Sequence, residues 1–154
     1  MSVPTRPAGY HSVTPYILVH DAASAIDFYQ RAFNAKEIFR LPMGGKIGHA
    51  EIKIGDSHVM LSDEWPDMNL RGPKARGGPT ASLMVYVDDV DAKFKQAVKA
   101  GATVERDLEN QFWGERTGTV VDPFGHRWML ATHVEEVPPE ELQRRVAAFS
   151  EQPA

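Results

Sequence analysis

The chain has 154 residues, 42% of them hydrophobic, with a formal net charge of −4 and no cysteine. That supplies a core for one domain or two small modules, and it excludes disulfides, thiolate catalysis and thiolate metal sites. No basic patch points to nucleic acid and no apolar run is long enough to span a bilayer, so a cytoplasmic protein with no nucleic-acid or membrane partner is the expectation.

Residues 1–11, with Pro4 and Pro7, read as an extended arm. Ser12 to Val19 is strand-like, with Pro15 marking an edge or irregular start. Asp21 caps a helix in which Ala22, Ala25, Ile26, Tyr29 and Phe33 recur at helical spacing, and Asn34 marks its end. Lys36 to Leu41 is the next strand. Ile47 to Ile54 alternates, turns at Gly55-Asp56 and returns through Ser57 to Ser62. A two-residue turn sets Lys53 opposite His58, Glu51 opposite Met60 and His49 opposite Ser62. Ala50, Ile52, Ile54, Val59 and Leu61 then form the apolar face, and His49, Glu51, Lys53, His58, Met60 and Ser62 the other.

Residues 63–81 are rich in Pro and Gly and read as a flexible linker. Ser82 to Asp88 is a strand, followed by a helix with Val90, Phe94, Ala97 and Val98 on one face and Gly101 at its end. Thr103 to Leu108 is a strand. Arg116 to Val121 and Arg127 to Thr132 pair around Asp122-Pro123-Phe124-Gly125. Pro138-Pro139-Glu140-Glu141 opens a short helix with Leu142, Val146 and Phe149 as its stripe.

The chain is written twice. Shifted by 68 positions, Ser12 to Glu37 falls on Thr80 to Glu105 without a gap. Val19, His20 and Asp21 meet Val87, Asp88 and Asp89; Ile26 meets Phe94, Ala32 meets Ala100, and Glu37 meets Glu105. A duplicated strand–helix–strand unit directs attention to the space between the copies.

These features resemble the vicinal oxygen chelate superfamily, which includes glyoxalase I, bleomycin-resistance proteins, fosfomycin-resistance enzymes and extradiol dioxygenases. The resemblance covers residues 12–133. It rests on the duplicated βαβββ order, on Ala25-Ile26-Asp27-Phe28-Tyr29, and on Asp122-Pro123-Phe124-Gly125-His126. The Ile54-Gly55-Asp56 hairpin is similar to that of PhnB-like single-domain members. The resemblance implies an α+β fold of two βαβββ modules forming a cupped mixed sheet. Module one spans 12–62, the linker 63–81 and module two 82–133, with a helix and tail over 134–154. It also implies a homodimer whose cavity the second chain completes.

Metal-dependent members of this superfamily draw ligands from the first and fourth strands of each module. The matching positions here are Thr14 and Ser82, and Met60 and Met129. Two hydroxyls and two thioethers do not hold Zn²⁺, Fe²⁺, Ni²⁺ or Mn²⁺ usefully at neutral pH. No cofactor is therefore expected. His49, Glu51 and His58 on one hairpin face are an alternative divalent-metal set, or the polar wall of a ligand pocket. His49 and Glu51 are also the candidates for acid–base catalysis without metal.

Tyr16 shares a face with Thr14, and Met84 and Tyr86 share a face with Ser82, which points to an aromatic and thioether cavity lining. Trp113 could stack on a flat ligand and Arg116 could hold an anion or carbonyl. The expected ligand-binding set is Thr14, Tyr16, His49, Glu51, His58, Met60, Ser82, Tyr86, Trp113, Arg116 and Met129. The expected function is metal-free small-molecule binding of the bleomycin-resistance type, at a homodimer interface. The alternative is a glyoxalase-like lyase, isomerase or dioxygenase with a non-standard metal or acid–base site.

Overall fold

Both copies fold in the same order: strand, helix, then three antiparallel strands. The computed structural model describes residues 2–153. In module one, β1 (Tyr16–Val19) leads into α1 (Ala22–Phe33), then β2 (Lys36–Met43), β3 (Lys46–Ile54) and β4 (Ser57–Asp63). After a 3₁₀ turn at Pro66–Met68 and a short α2 (Pro73–Arg76), module two repeats the plan. It comprises β5 (Ser82–Tyr86), α3 (Val90–Ala100), β6 (Thr103–Asn110), β7 (Glu115–Val121) and β8 (Arg127–His133), and α4 (Pro139–Ser150) follows. The sheet orders are β1-β4-β3-β2 and β5-β8-β7-β6, with the first-named pair parallel in each.

The repeat is physical at the level of caps. Asp21 accepts a hydrogen bond from the Ser24 N–H, and Asp89, at the duplicated position, accepts one from the Ala92 N–H. Each carboxylate satisfies an N-terminal donor that the helix cannot. Asn34 ends α1 in the left-handed region at φ 56°, and Gly101 ends α3 at φ 126°. The apolar stripe of α1 is fully covered, with Ala22, Ala25, Ile26, Tyr29 and Phe33 all buried. On α3, Val90 and Ala97 are buried, but Val98 is exposed.

The β3–β4 hairpin has the expected register: Ile54 faces Ser57, Lys53 faces His58 and Glu51 faces Met60. The first strand is shorter than expected. It begins at Tyr16, because Pro15 has no N–H to extend the ladder, although its carbonyl still accepts from Met60 N at 2.9 Å. The segment expected as a flexible linker over 63–81 contains regular structure in part. Asp63 completes β4, buried, and accepts from Ala22 N at 2.8 Å and Ile47 N at 2.6 Å, so it ties α1 to β3. Gly72 passes so near β1 that an added Cβ would stand 2.6 Å from the Leu18 carbonyl oxygen.

The modules meet through aromatic packing. Trp128 of β8 lies against Tyr29 and Phe33 of α1, with ring centroids 5.3 and 4.7 Å apart. Asp122, in the turn before β8, accepts from Tyr29 OH, Trp128 Nε1, Phe124 N and His126 N. His126 Nε2 lies 2.9 Å from the Leu18 carbonyl oxygen. The Asp122–His126 turn thus joins the two copies.

The C-terminal helix α4 is held at its side by Arg145. This guanidinium binds Glu135, Glu141 and the Phe112 carbonyl, and Phe112 and Phe149 pack with centroids 5.3 Å apart. No helix among the described residues is long and apolar enough to cross a membrane.

Candidate functional site

The site begins as one row across the first sheet. Parallel pairing sets Tyr16 beside Met60, the hairpin sets Met60 beside Glu51, and β2 sets Phe39 beside Glu51. Side chains opposite one another on adjacent strands share a face, so these four form a stripe. Leu41 opposite His49 extends it. The duplicated row is Met84, Met129, Thr119. Glu51 therefore corresponds to Thr119, and the carboxylate belongs to module one alone.

Glu51 is 7% exposed and both of its oxygens are engaged. His49 Nε2 lies 3.1 Å from Oε2, and the Tyr10 hydroxyl donates to Oε1. The Tyr16 hydroxyl lies 2.9 Å from His49 Nδ1. A carboxylate only accepts, so Nε2 carries the proton of the bond to Glu51, while Nδ1 and the Tyr16 hydroxyl share the other. The result is a line of hydrogen bonds, Tyr16 to His49 to Glu51, closed at the far end by Tyr10. The bond to Glu51, then burial, then the carboxylate's charge push the Tyr10 hydroxyl up to about 12.

Tyr10 was not a sequence-based candidate. The arm is not simply extended: Tyr10 N donates to the Pro7 carbonyl at 3.2 Å, and Gly9 sits at φ 82°. That turn drops the Tyr10 ring onto His58, stacked at 3.8 Å between centroids and 18° between planes. Pro7-Ala8-Gly9 ahead of an aromatic residue was the available signal. Beneath the ring, His58 Nδ1 is buried and has no hydrogen-bond partner.

Module two has its own carboxylate cluster, also unforeseen. Glu115 accepts from Tyr86 OH at 2.7 Å and from Trp113 Nε1 at 2.9 Å. This bond is the leading cause that raises the Tyr86 hydroxyl above its ordinary range. Trp113 and Tyr86 thus come together, both exposed. Arg116 does not join them. It lies on the helix side of β7, paired with Asp91 of α3 through two 2.9 Å contacts. Alternation along the strand sends Glu115 and Arg116 to opposite faces.

A cleft of about 1170 Å³ lies between the modules. Thr14, His58, Met84 and Tyr86 line it, but Met60, Ser82 and Met129 do not. The two first-strand and two fourth-strand positions thus do not come together in this cleft. Thr14 also spends its hydroxyl on the His11 carbonyl at 3.1 Å. The donor chemistry of these four positions does not fit a divalent metal. Among the described residues no three His, Asp or Glu side chains lie close enough to hold a metal ion. His49 and Glu51 touch, whereas His58 is turned to Tyr10.

Two four-stranded mixed sheets with duplicated βαβββ order and a polar-aromatic strand face define a paired-module fold. The Glyoxalase/Bleomycin resistance protein/Dioxygenase superfamily profile matches residues 9–130, and the chain belongs to that superfamily. It is 46% identical over 156 residues to the "Uncharacterized protein Mb0911c" of Mycobacterium bovis, covering 99% of this chain and 98% of the relative. Its fold is similar to that of TioX from Micromonospora sp. ML1 (26% identity, TM-score 0.63, covering 80% of this chain and 99% of TioX). It is also similar to a PhnB protein from Bacillus cereus (19% identity, TM-score 0.61, covering 79% and 99%).

Proposed function

We propose that this protein binds an amphipathic small molecule without a metal, on strand faces that a second copy covers to form a homodimer. The observation that carries this reading is the open stripe. Tyr16 (48% exposed), Phe39 (39%) and Leu41 (53%) flank Glu51 and His49, and Met84 (40%) and Tyr86 (61%) flank the second cluster. Aromatic and aliphatic groups around a few fixed hydrogen-bonding groups make a ligand wall, and residues this apolar are covered in a stable assembly. Glu51 and Glu115 each place a carboxylate, already holding two hydrogen-bonding side chains, along these faces, which favours neutral or cationic ligands over anions.

The test combines sedimentation with thermal-shift screening of neutral, cationic and anionic aromatic compounds. The expected result is a dimer stabilised by neutral or cationic aromatics and not by anionic ones. A monomer that no compound stabilises overturns the proposal.

The His49–Glu51 contact supports a second reading, a metal-free lyase or isomerase in which Glu51 takes a proton and His49 orients it. In the present arrangement both Glu51 oxygens and both His49 nitrogens are occupied. Catalysis would therefore need Tyr10 to leave, which places binding first.

A further inference from the structure

We propose that Glu51 and His58 form a subsite for a neutral phenol, and that Tyr10 fills this subsite in cis until a ligand displaces it. The inference rests on the small-molecule-binding reading above and names the chemistry of one end of the ligand.

Tyr10 touches the sheet as a bound phenol would: its ring stacks on the His58 imidazole and its hydroxyl donates to Glu51. The rest of the arm is loosely attached. Residues 2–9 are exposed, and their hydrogen bonds reach only near neighbours in sequence, from Arg6 to Ser12 and from Tyr10 N to Pro7. Among the described residues, the Tyr10 phenol provides the arm's side-chain hydrogen bond to the sheet. Removing it therefore costs little other structure.

The fit is also incomplete. Tyr10 covers His58 but leaves its Nδ1 buried and unpartnered. Buried polar atoms are rarely left so, and a ligand or the water it admits could satisfy this one. The cleft between the modules reaches His58 and runs on past Thr14 to Met84 and Tyr86. Glu51 and Tyr10 do not line this cleft, so His58 is the point from which a ligand in the subsite extends an apolar body toward β5. A carboxylate end lacks the hydroxyl donor that Tyr10 supplies to Glu51, so it does not match this subsite.

A ligand that must first displace an internal group binds more weakly by the fraction of chains in which that group is out. Calorimetric titration of the full chain with 4-phenylphenol, with biphenyl-4-carboxylate as the anionic control, tests this. The Tyr10→Ala variant is expected to bind 4-phenylphenol at least tenfold more tightly than the native chain, and neither should bind the carboxylate. Tyr10→Phe, which keeps the ring and loses the donor, should fall between them and guards against misfolding of the alanine variant. Adding 4-phenylphenol to the native chain should speed hydrogen exchange at residues 8–11 as the arm is released.

Equal affinity in the native chain and both variants overturns the subsite while leaving the binding reading intact. The same holds if other aromatics stabilise the native chain and 4-phenylphenol binds no variant. If no compound binds any of the three proteins, both proposals fall.

Discussion

The phenol of Tyr29 on α1 donates a 2.6 Å hydrogen bond to the carboxylate of Asp122, in the turn before β8. The two residues belong to different modules, and both are buried. Asp122 also takes Trp128 Nε1 and two backbone N–H groups, so four hydrogen-bond donors satisfy its oxygens. The same five-residue turn that marks the sequence as a member of its superfamily is thus the joint of this chain.

Replacing Tyr29 with Phe removes one donor from a buried carboxylate and is expected to cost about 1–3 kcal/mol in urea unfolding. Burial first, then Asp122, raises the Tyr29 hydroxyl well above its ordinary range. A raised value stabilises the folded protein fully below the unfolded tyrosine range and loses that contribution as pH climbs through and beyond it. The native chain should therefore lose stability above about pH 10, the ordinary tyrosine value, and Tyr29→Phe should show a shallower alkaline decline.

Gly114 should not tolerate a side chain. It sits at φ 97°, and an added Cβ would overlap the Glu135 carbonyl oxygen at 2.2 Å. Its own carbonyl receives Val134 N and Glu135 N. Gly114→Ala is expected to destabilise the fold by about 1–3 kcal/mol, from left-handed strain and overpacking together. The same variant should loosen the tail that leads to α4, read as faster hydrogen exchange over residues 134–150.

The attachment of α4 should depend on pH and on Arg145. The guanidinium holds Glu135 and Glu141 below their ordinary carboxylate range. Lowered carboxylate values stabilise the folded form above the unfolded range and lose that effect as pH falls through them. Exchange in α4 should therefore accelerate once pH drops below about 4, the ordinary glutamate value. Arg145→Ala should produce that acceleration already at neutral pH, with little change in the β strands.

Divalent metals should have no effect on the first-strand and fourth-strand positions. Adding Zn²⁺, Mn²⁺ or Ni²⁺ to protein purified without a tag is expected to leave the melting temperature unchanged, as is chelator treatment. A stabilisation abolished by Glu51→Gln would falsify this expectation and bring the His49–Glu51 pair forward as a metal site.

The strands, helices and caps were largely legible, because their determinants are local. Asp21, Asn34, Asp89 and Gly101 act within one turn of helix, and the Gly55-Asp56 turn fixes its hairpin register by itself. The linker was harder to read. Pro and Gly there announced a break in the regular elements, but Gly72 is small because the Leu18 carbonyl, 54 residues earlier, lies against it. Tyr10 was missed for a similar reason: Pro7-Ala8-Gly9 signals a turn, but nothing nearby in sequence shows that the turn carries Tyr10 to Glu51. Arg116 was assigned to the pocket by its neighbour Trp113, whereas strand alternation sends it to Asp91.

The amino-acid sequence by itself determined the duplication, the two βαβββ modules, the face of β3 and β4 that carries His49, Glu51 and His58, and the unsuitable metal donors. Those properties follow from periodicity, turn chemistry and side-chain type, all read over a few residues. Only the tertiary structure decided that Asp122 joins the modules, that Glu51 is closed off by Tyr10, and that Arg116 faces the helix. These are contacts between distant segments, and they are set by how the buried rings of α1 and β8 pack and by where an irregular arm comes to rest.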